Sequence, residues 1–172
     1  MYSQSMADMR QELELRGNRK NALHHNSIYG WFSERTEKFM TDEIRVFIDS
    51  ESQILIARQQ ARLLAAELGF WSVEQSFIAM AISEVALNIL QYAGKGEILL
   101  DKAQKEGAQG IMVVARDEGP GIPDVELAMQ EGYSTSGSAG LGLAGAKRLM
   151  DEFNVVSEVG KGTTVTMKKW VR

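Results

Sequence analysis

A glutamate and an asparagine stand four residues apart inside the apolar run "IAMAISEVALNIL", Ile78 to Leu90. Residues at that spacing share one face of a helix, so Glu84 and Asn88 form a polar stripe, and Gln91 continues it one turn on. Ionised carboxylates are very rarely buried unless they are paired or bound to a metal. Two readings are open for Glu84. It is a surface side chain on the solvent side of the helix, or it is a carboxylate held for work as a base or near a cation. Phe77, Met80 and Leu87 lie close to the same face, so this is not an ordinary solvated one.

A second constellation is "ARDEGPGIP", Ala115 to Pro123. The apolar strand before it ends in Asp117, and Gly119 and Gly121 follow within four residues. A carboxylate at a strand end, beside glycines that let a ligand approach the backbone, suits recognition of an exocyclic amine such as that of adenine. The same residues also make a plain turn, since Asp, Gly and Pro all favour one. A third is "STSGSAGLGLAG", Ser134 to Gly145, with G-x-G-x-x-G at Gly140, Gly142 and Gly145. A Ser/Gly loop precedes it, not a strand, so the dinucleotide-fold requirement fails. A glycine loop opening a helix still offers free N–H groups and a positive dipole end to phosphates. The fourth is "GKGTTV", Gly160 to Val165: a hairpin turn that sets Thr163 at a strand start, where its hydroxyl can support Asp117.

The elements that must position these groups follow from periodicity and punctuation. "EIRVFID" alternates as a half-buried strand. Ser50 or Ser52 is expected to cap a helix running to about Leu68 and stopping at Gly69. Ser72 is expected to cap a second helix ending near Ala93-Gly94. Strands are expected at Gly96–Asp101 and Gly110–Asp117, around a polar turn "AQKEGAQ". Pro123 is expected to open a short helix to about Glu131, and another helix to run from about Leu143 to Glu152. "NVVSEVG" and "TTVTMKKWV" read as strands joined by "GKG". The order β-α-α-β-β-α-α-β-β predicts an α+β two-layer sandwich, with a mixed, largely antiparallel sheet and helices on one face.

The chain has 172 residues and no cysteine, which suits one domain and excludes disulfides and thiolate metal sites. Its net charge of −4 gives no electrostatic reason to bind nucleic acid. No apolar run reads as long enough to span a bilayer and no signal-like stretch opens the chain, so a soluble, cytoplasmic protein is expected. Residues 1–39 are polar and read as a poorly ordered N-terminal extension. Met40, where the regular pattern begins, is the favoured start of the true chain, with a regulatory arm as the alternative.

Four signals thus stand in a fixed order: Glu-x-x-x-Asn on a helix, Asp-x-Gly-x-Gly after a strand, a glycine loop before a helix, and Gly-Thr before a strand. This arrangement resembles the GHKL (Bergerat) ATP-binding fold, over residues 40–172. At 172 residues no transducer domain of the topoisomerase or chaperone kind is expected. Its only histidines, His24 and His25, lie in the polar extension. "SEVALNILQYAGKGEI", "DEGPGIPD", "STSG", "KRLMDEF" and the C-terminal "KW" are similar to the anti-sigma-type serine kinases, and within them to the switch kinases of the bacterial stressosome. Sigma-sequestering relatives are expected to carry a His-containing segment just after the Asn.

The resemblance implies ATP and Mg²⁺ as cofactors. It implies Glu84 as catalytic base on a serine or threonine hydroxyl, and Asn88 as an amide ligand to Mg²⁺. Asp117 would bind the adenine amine with Thr163 assisting, and Gly119 and Gly121 would let the base lie close. Gly140, Leu141 and Gly142 would lead the phosphate loop, under a lid holding Ser134, Thr135 and Ser136. Lys95, between Gly94 and Gly96, faces the phosphates or is a solvated turn lysine. The implied partners are STAS-domain scaffold or antagonist proteins and a PP2C-type phosphatase, with no nucleic acid and no membrane. An anti-sigma factor and an ATP-binding adaptor are the competing readings.

Overall fold

The computed structural model describes residues 43–130 and 142–172. Strand β1 (Ile44–Ile48) leads into helix α1 (Glu51–Glu67) and helix α2 (Ser72–Asn88), which continues as a π turn, Ile89–Ala93. Strands β2 (Gly96–Lys105) and β3 (Ala108–Asp117) form a hairpin. A one-turn helix α3 (Val125–Ala128), helix α4 (Gly142–Leu149) and strands β4 (Glu152–Glu158) and β5 (Gly162–Trp170) complete the order. The sheet runs β1-β2-β3-β5-β4 and is antiparallel throughout. The expected α+β class and element order stand, and the mixed sheet resolves to a purely antiparallel one.

Alternation along the strands sends Val46, Ile48, Ile98, Leu100, Ile111, Val113, Ala115, Val165 and Met167 into the core. There they meet Ala57, Ala61 and Leu64 of α1, Ile78, Ile82, Val85 and Ala86 of α2, and Leu143 and Ala146 of α4. The opposite face of the sheet carries Phe47, Glu97, Arg116, Thr164 and Val156 in one cross-strand row. Glu97 is buried in that row and ion-paired to Arg116 and Arg45.

Several local expectations are corrected. Trp71, not Ser72, is the N-cap of α2, and its N–H donates to the Glu74 carboxylate at 3.2 Å. Ser50 holds the N-cap position of α1 without a side-chain cap bond, its hydroxyl pairing with that of Ser52. Gly69, at φ 88°, ends α1: its N–H reaches Ala66 O while that of Phe70 reaches Ala65 O, both at 3.0 Å. β2 and β3 extend through most of the segment read as a turn. Glu106 and Gly107 both take positive φ, so a two-residue hairpin suffices and the flanking polar residues pair. Asp124, not Pro123, marks the start of α3 as its N-cap, accepting the Leu127 N–H at 2.9 Å, and Val125 is the first helical residue. Glu152 begins β4 instead of ending α4.

Against the expectation that no apolar run is long enough to span a bilayer, one described helix passes by length and composition alone, as the core helix of a soluble protein also can. Ser72–Ala93 has 22 residues and contains an 18-residue stretch of mean hydropathy 1.3. The cause is that α2 is apolar on two sides, one packed into the core and one facing out. Met40 and residues 1–39 lie outside the described residues.

Candidate functional site

α2 supplies the stripe. Its buried positions, Ile78, Ala81, Ile82, Val85 and Ala86, fix the helix against the sheet, and the 100° step per residue then turns Glu84 to the far side. Glu84 is half-buried, and its Oε2 accepts the backbone N–H of Gly142, the first residue of α4, at 2.9 Å. The carboxylate therefore caps a helix that brings no acidic residue of its own in its first turn. Gly142 sits at φ +61°, a left-handed conformation that glycine takes without strain. Two sequence signals 58 residues apart are joined by one hydrogen bond.

Asn88, one turn on, is the last α-helical residue before the π turn and is half-buried. The π turn carries the chain to Gly94 at φ 77° and Lys95, which is exposed. Lys95 makes no ion pair with a described residue.

The end of the sheet supplies the second half. Gly96, Asp117, Thr163 and Ser157 are consecutive cross-strand partners on the helix side of β2, β3, β5 and β4. Asp117 and Thr163 thus stand directly opposite each other. The Thr163 hydroxyl, however, pairs with the Ser157 hydroxyl at 2.8 Å. Asp117 Oδ1 accepts the Gly119 N–H at 2.8 Å. Ser157 is the residue that sequence reasoning missed. Its hydroxyl accepts the Ile122 N–H at 2.8 Å and donates to Gly162 O at 3.1 Å, tying the loop after Asp117 to the β4–β5 turn. Period-two alternation would have flagged it, since Val155 and Ser157 point the same way and only one is apolar.

The glycines of this loop have a packing reason of their own. A Cβ on Gly119 would lie 2.6 Å from Ala93 Cβ, so the Asp117 loop rests directly on the π turn of α2. A Cβ on Gly121 would lie 2.3 Å from Glu158 O, and one on Gly162, at φ +106°, 2.1 Å from Asp117 O. The structure brings Glu84, Asn88 and Gly142 together on the helices. It brings Asp117, Gly119, Gly121 and Thr163 together at the sheet end, and α2 links the two groups through Ala93. Ser134, Thr135, Ser136, Gly140 and Leu141 lie outside the described residues.

The donor set is suited to a nucleotide more than to a caged metal. Among the described residues no three His, Asp or Glu side chains cluster to hold a cation by themselves. A single amide such as Asn88, beside one carboxylate, fits Mg²⁺ that takes most of its oxygen ligands from phosphates and water.

Comparison with known proteins bears on the family and the fold. Residues 73–171 match the family of histidine kinase-, DNA gyrase B-, and HSP90-like ATPases. The chain is 49% identical over 133 residues to the serine/threonine-protein kinase RsbT of Bacillus subtilis (strain 168), covering 77% of this chain and all of that one. It is 35% identical over 130 residues to the anti-sigma F factor of Thermoanaerobacter sp. (strain X514), covering 73% of this chain and 90% of that one. In fold it is similar to the crystal structure of the RsbU and RsbW domains of a Mycobacterium tuberculosis protein. That match has a TM-score of 0.51 at 22% identity and covers 76% of this chain and 33% of that one.

Proposed function

This chain belongs to the family of histidine kinase-, DNA gyrase B-, and HSP90-like ATPases, and on that premise we propose that it is a cytoplasmic, ATP-dependent serine/threonine kinase of a partner-switching stress module. Its phosphoacceptors are STAS-domain scaffold or antagonist proteins, and once released from them it activates a PP2C-type phosphatase. Residues 40–172 form the kinase domain. The observation that carries the reading is the bond from Gly142 N–H to Glu84. It sets a carboxylate at the N-terminus of a helix that follows a glycine-rich run in the sequence, where phosphate is expected.

Asp117 accepts the amino N–H of adenine, with Thr163 and Ser157 backing it. Asn88 offers its amide oxygen to Mg²⁺, whose chemistry when bound is to neutralise charge on the transferring phosphoryl group. Gly142 donates its N–H to phosphate oxygen, with Gly140, Leu141 and the lid residues Ser134, Thr135 and Ser136 continuing that loop. In this reading Lys95, exposed in the turn after α2, faces the phosphates. Glu84 takes the proton of the incoming hydroxyl. The hydroxyl oxygen forms a bond to the γ-phosphorus, the bond from that phosphorus to the β–γ bridging oxygen breaks, and ADP leaves with the electron pair.

The test is transfer from γ-labelled ATP with Mg²⁺ to a STAS-domain protein from the same genome, with Glu84→Gln and Asn88→Ala in parallel. Label on serine or threonine, lost in both variants, supports the kinase. ATP binding without transfer moves the reading to a sequestering anti-sigma factor, which the 35% identity to an anti-sigma F factor favours as the second choice. A sigma factor recovered in complex with the chain would decide for it.

A further inference from the structure

The outward side of α2 is not what a soluble helix normally shows. Val73, Phe77, Met80 and Leu87 are 53%, 37%, 43% and 41% exposed, and Trp71 at the N-cap is 74% exposed. With Glu84 they form one line at spacings of four, three, four and three residues. That is the 3.5-residue period of a helix-to-helix seam, and it runs for about 21 Å along the axis at 1.5 Å per residue. At its N-terminal end lies a shallow groove of about 380 Å³ lined by Trp71, Val73, Glu74, Phe77, Lys169 and Arg172.

We propose that this line is the docking surface for the phosphoacceptor protein, which lays an apolar helical segment along α2 and so presents its hydroxyl to Glu84. The proposal rests on the kinase reading above and adds where the protein substrate sits. The argument is continuity with the reacting group. A base that takes a proton from a protein hydroxyl is reached only by a protein lying over it, and the residues flanking Glu84 on both sides along the helix are exposed and apolar. The period selects a helix as the occupant. A second copy of this chain paired antiparallel through the same line, with Glu84 against Met80, would bury a carboxylate whose one partner is the Gly142 N–H. A lipid surface would meet the same carboxylate in hydrocarbon. A substrate hydroxyl, by contrast, donates to it.

The experiment compares the full chain with Phe77→Glu and Met80→Glu, using Val156→Glu on the opposite face of the sheet as control. The probe is a STAS-domain protein from the same genome, with KM for that protein and Kd for ATP both measured. The expected result is a KM raised at least tenfold by either α2 variant with ATP Kd within twofold, and neither value moved by the control. Should the glutamates weaken ATP binding, Phe77→Ser and Met80→Gln carry the same comparison without added charge. Unchanged KM in the variants beside normal wild-type transfer overturns the docking surface alone. Wild type that binds ATP and transfers nothing overturns the kinase reading, and this proposal with it. Two further outcomes also overturn it: dimerisation of wild type that the variants abolish, or binding of wild type to anionic phospholipid vesicles that they abolish.

Discussion

Replacing Glu84 by glutamine separates chemistry from architecture. The glutamine amide is nearly the shape of the carboxylate and its oxygen can still accept the Gly142 N–H, now 2.9 Å away. What is lost is the negative charge at the N-terminus of α4. A charge in that position contributes about 0.3–1 kcal/mol, and weakening a charge-assisted bond to a neutral one adds a comparable amount. A total near 1 kcal/mol would lower the thermal midpoint by about 3–5 °C. Catalysis should fall much further, since a positioned general base is worth about 10²–10⁴-fold. ATP binding should move the other way. Phosphate and carboxylate compete for one N–H, so removing the charge should leave ATP Kd unchanged or up to about fivefold tighter, roughly 1 kcal/mol. The assays are differential scanning fluorimetry, isothermal titration with ATP and Mg²⁺, and single-turnover transfer to a STAS-domain protein. Transfer within fivefold of wild type would refute the base. ATP Kd weakened tenfold would assign Glu84 to holding the nucleotide instead.

Asp117→Asn should weaken ATP at least about tenfold and erode discrimination against GTP, read by competition titration, because one face of the amide donates where the carboxylate only accepts. Gly119→Ala should cost about 1–3 kcal/mol by pressing a methyl onto Ala93; denaturant titration of this variant with and without Ala93→Gly should show the two changes coupling. Ser157→Ala strands the Ile122 N–H and removes the Thr163 partner, for a loss of about 1–3 kcal/mol by the same titration, with weaker ATP binding. Glu152 is held below its ordinary 4.5, first by its bond from Lys105 and then by that from Lys168, while Glu152 in turn holds Lys105 above 10.5. A lowered acid stabilises above its unfolded value and a raised base below its own. The midpoint gap between wild type and Glu152→Gln should therefore be widest between pH 4.5 and 10.5, closing as either limit is crossed.

How much of this was legible in the sequence depended on whether the cause was local. The helices and strands follow periodicity, and Asp117 at one strand end and Thr163 at another strand's start are both legible, while their pairing is a matter of register. The cap of α2 was misread because Ser72 is the better cap by type, whereas Glu74 reaching back to the Trp71 N–H moved the boundary by one residue. The β2–β3 hairpin was cut short because "DKAQKEGAQ" is polar. Pairing across a two-residue turn, not side-chain burial, holds those residues in the sheet. Ser157 could not be assigned a role from its neighbours, since the groups it serves lie 35 residues before it and 5 to 6 after. By sequence the glycines of "DEGPG" offer room for a ligand. Their nearest obstacles are Ala93 and the β4–β5 turn, which only the assembled fold brings there.

The π turn explains why one helix can serve both halves of the site. Ile89 and Ala93, the two ends of that turn, each meet a glycine at the sheet end. A Cβ on Gly96 would lie 2.8 Å from the Ile89 side chain, and one on Gly119 2.6 Å from Ala93. The wider turn is thus locked between β2 and the Asp117 loop, and π turns concentrate where a helix has been adjusted for function. Glu84 and Asn88 lie on the α-helical side of that lock and the adenine-side carboxylate lies just beyond it. A change that converts Ile89–Ala93 to regular helix, by deleting one residue there, would rotate Ala93 off Gly119 and part the two halves. Glu84 and Gly142 would stay joined, so such a variant should lose ATP affinity while keeping α4 docked on α2.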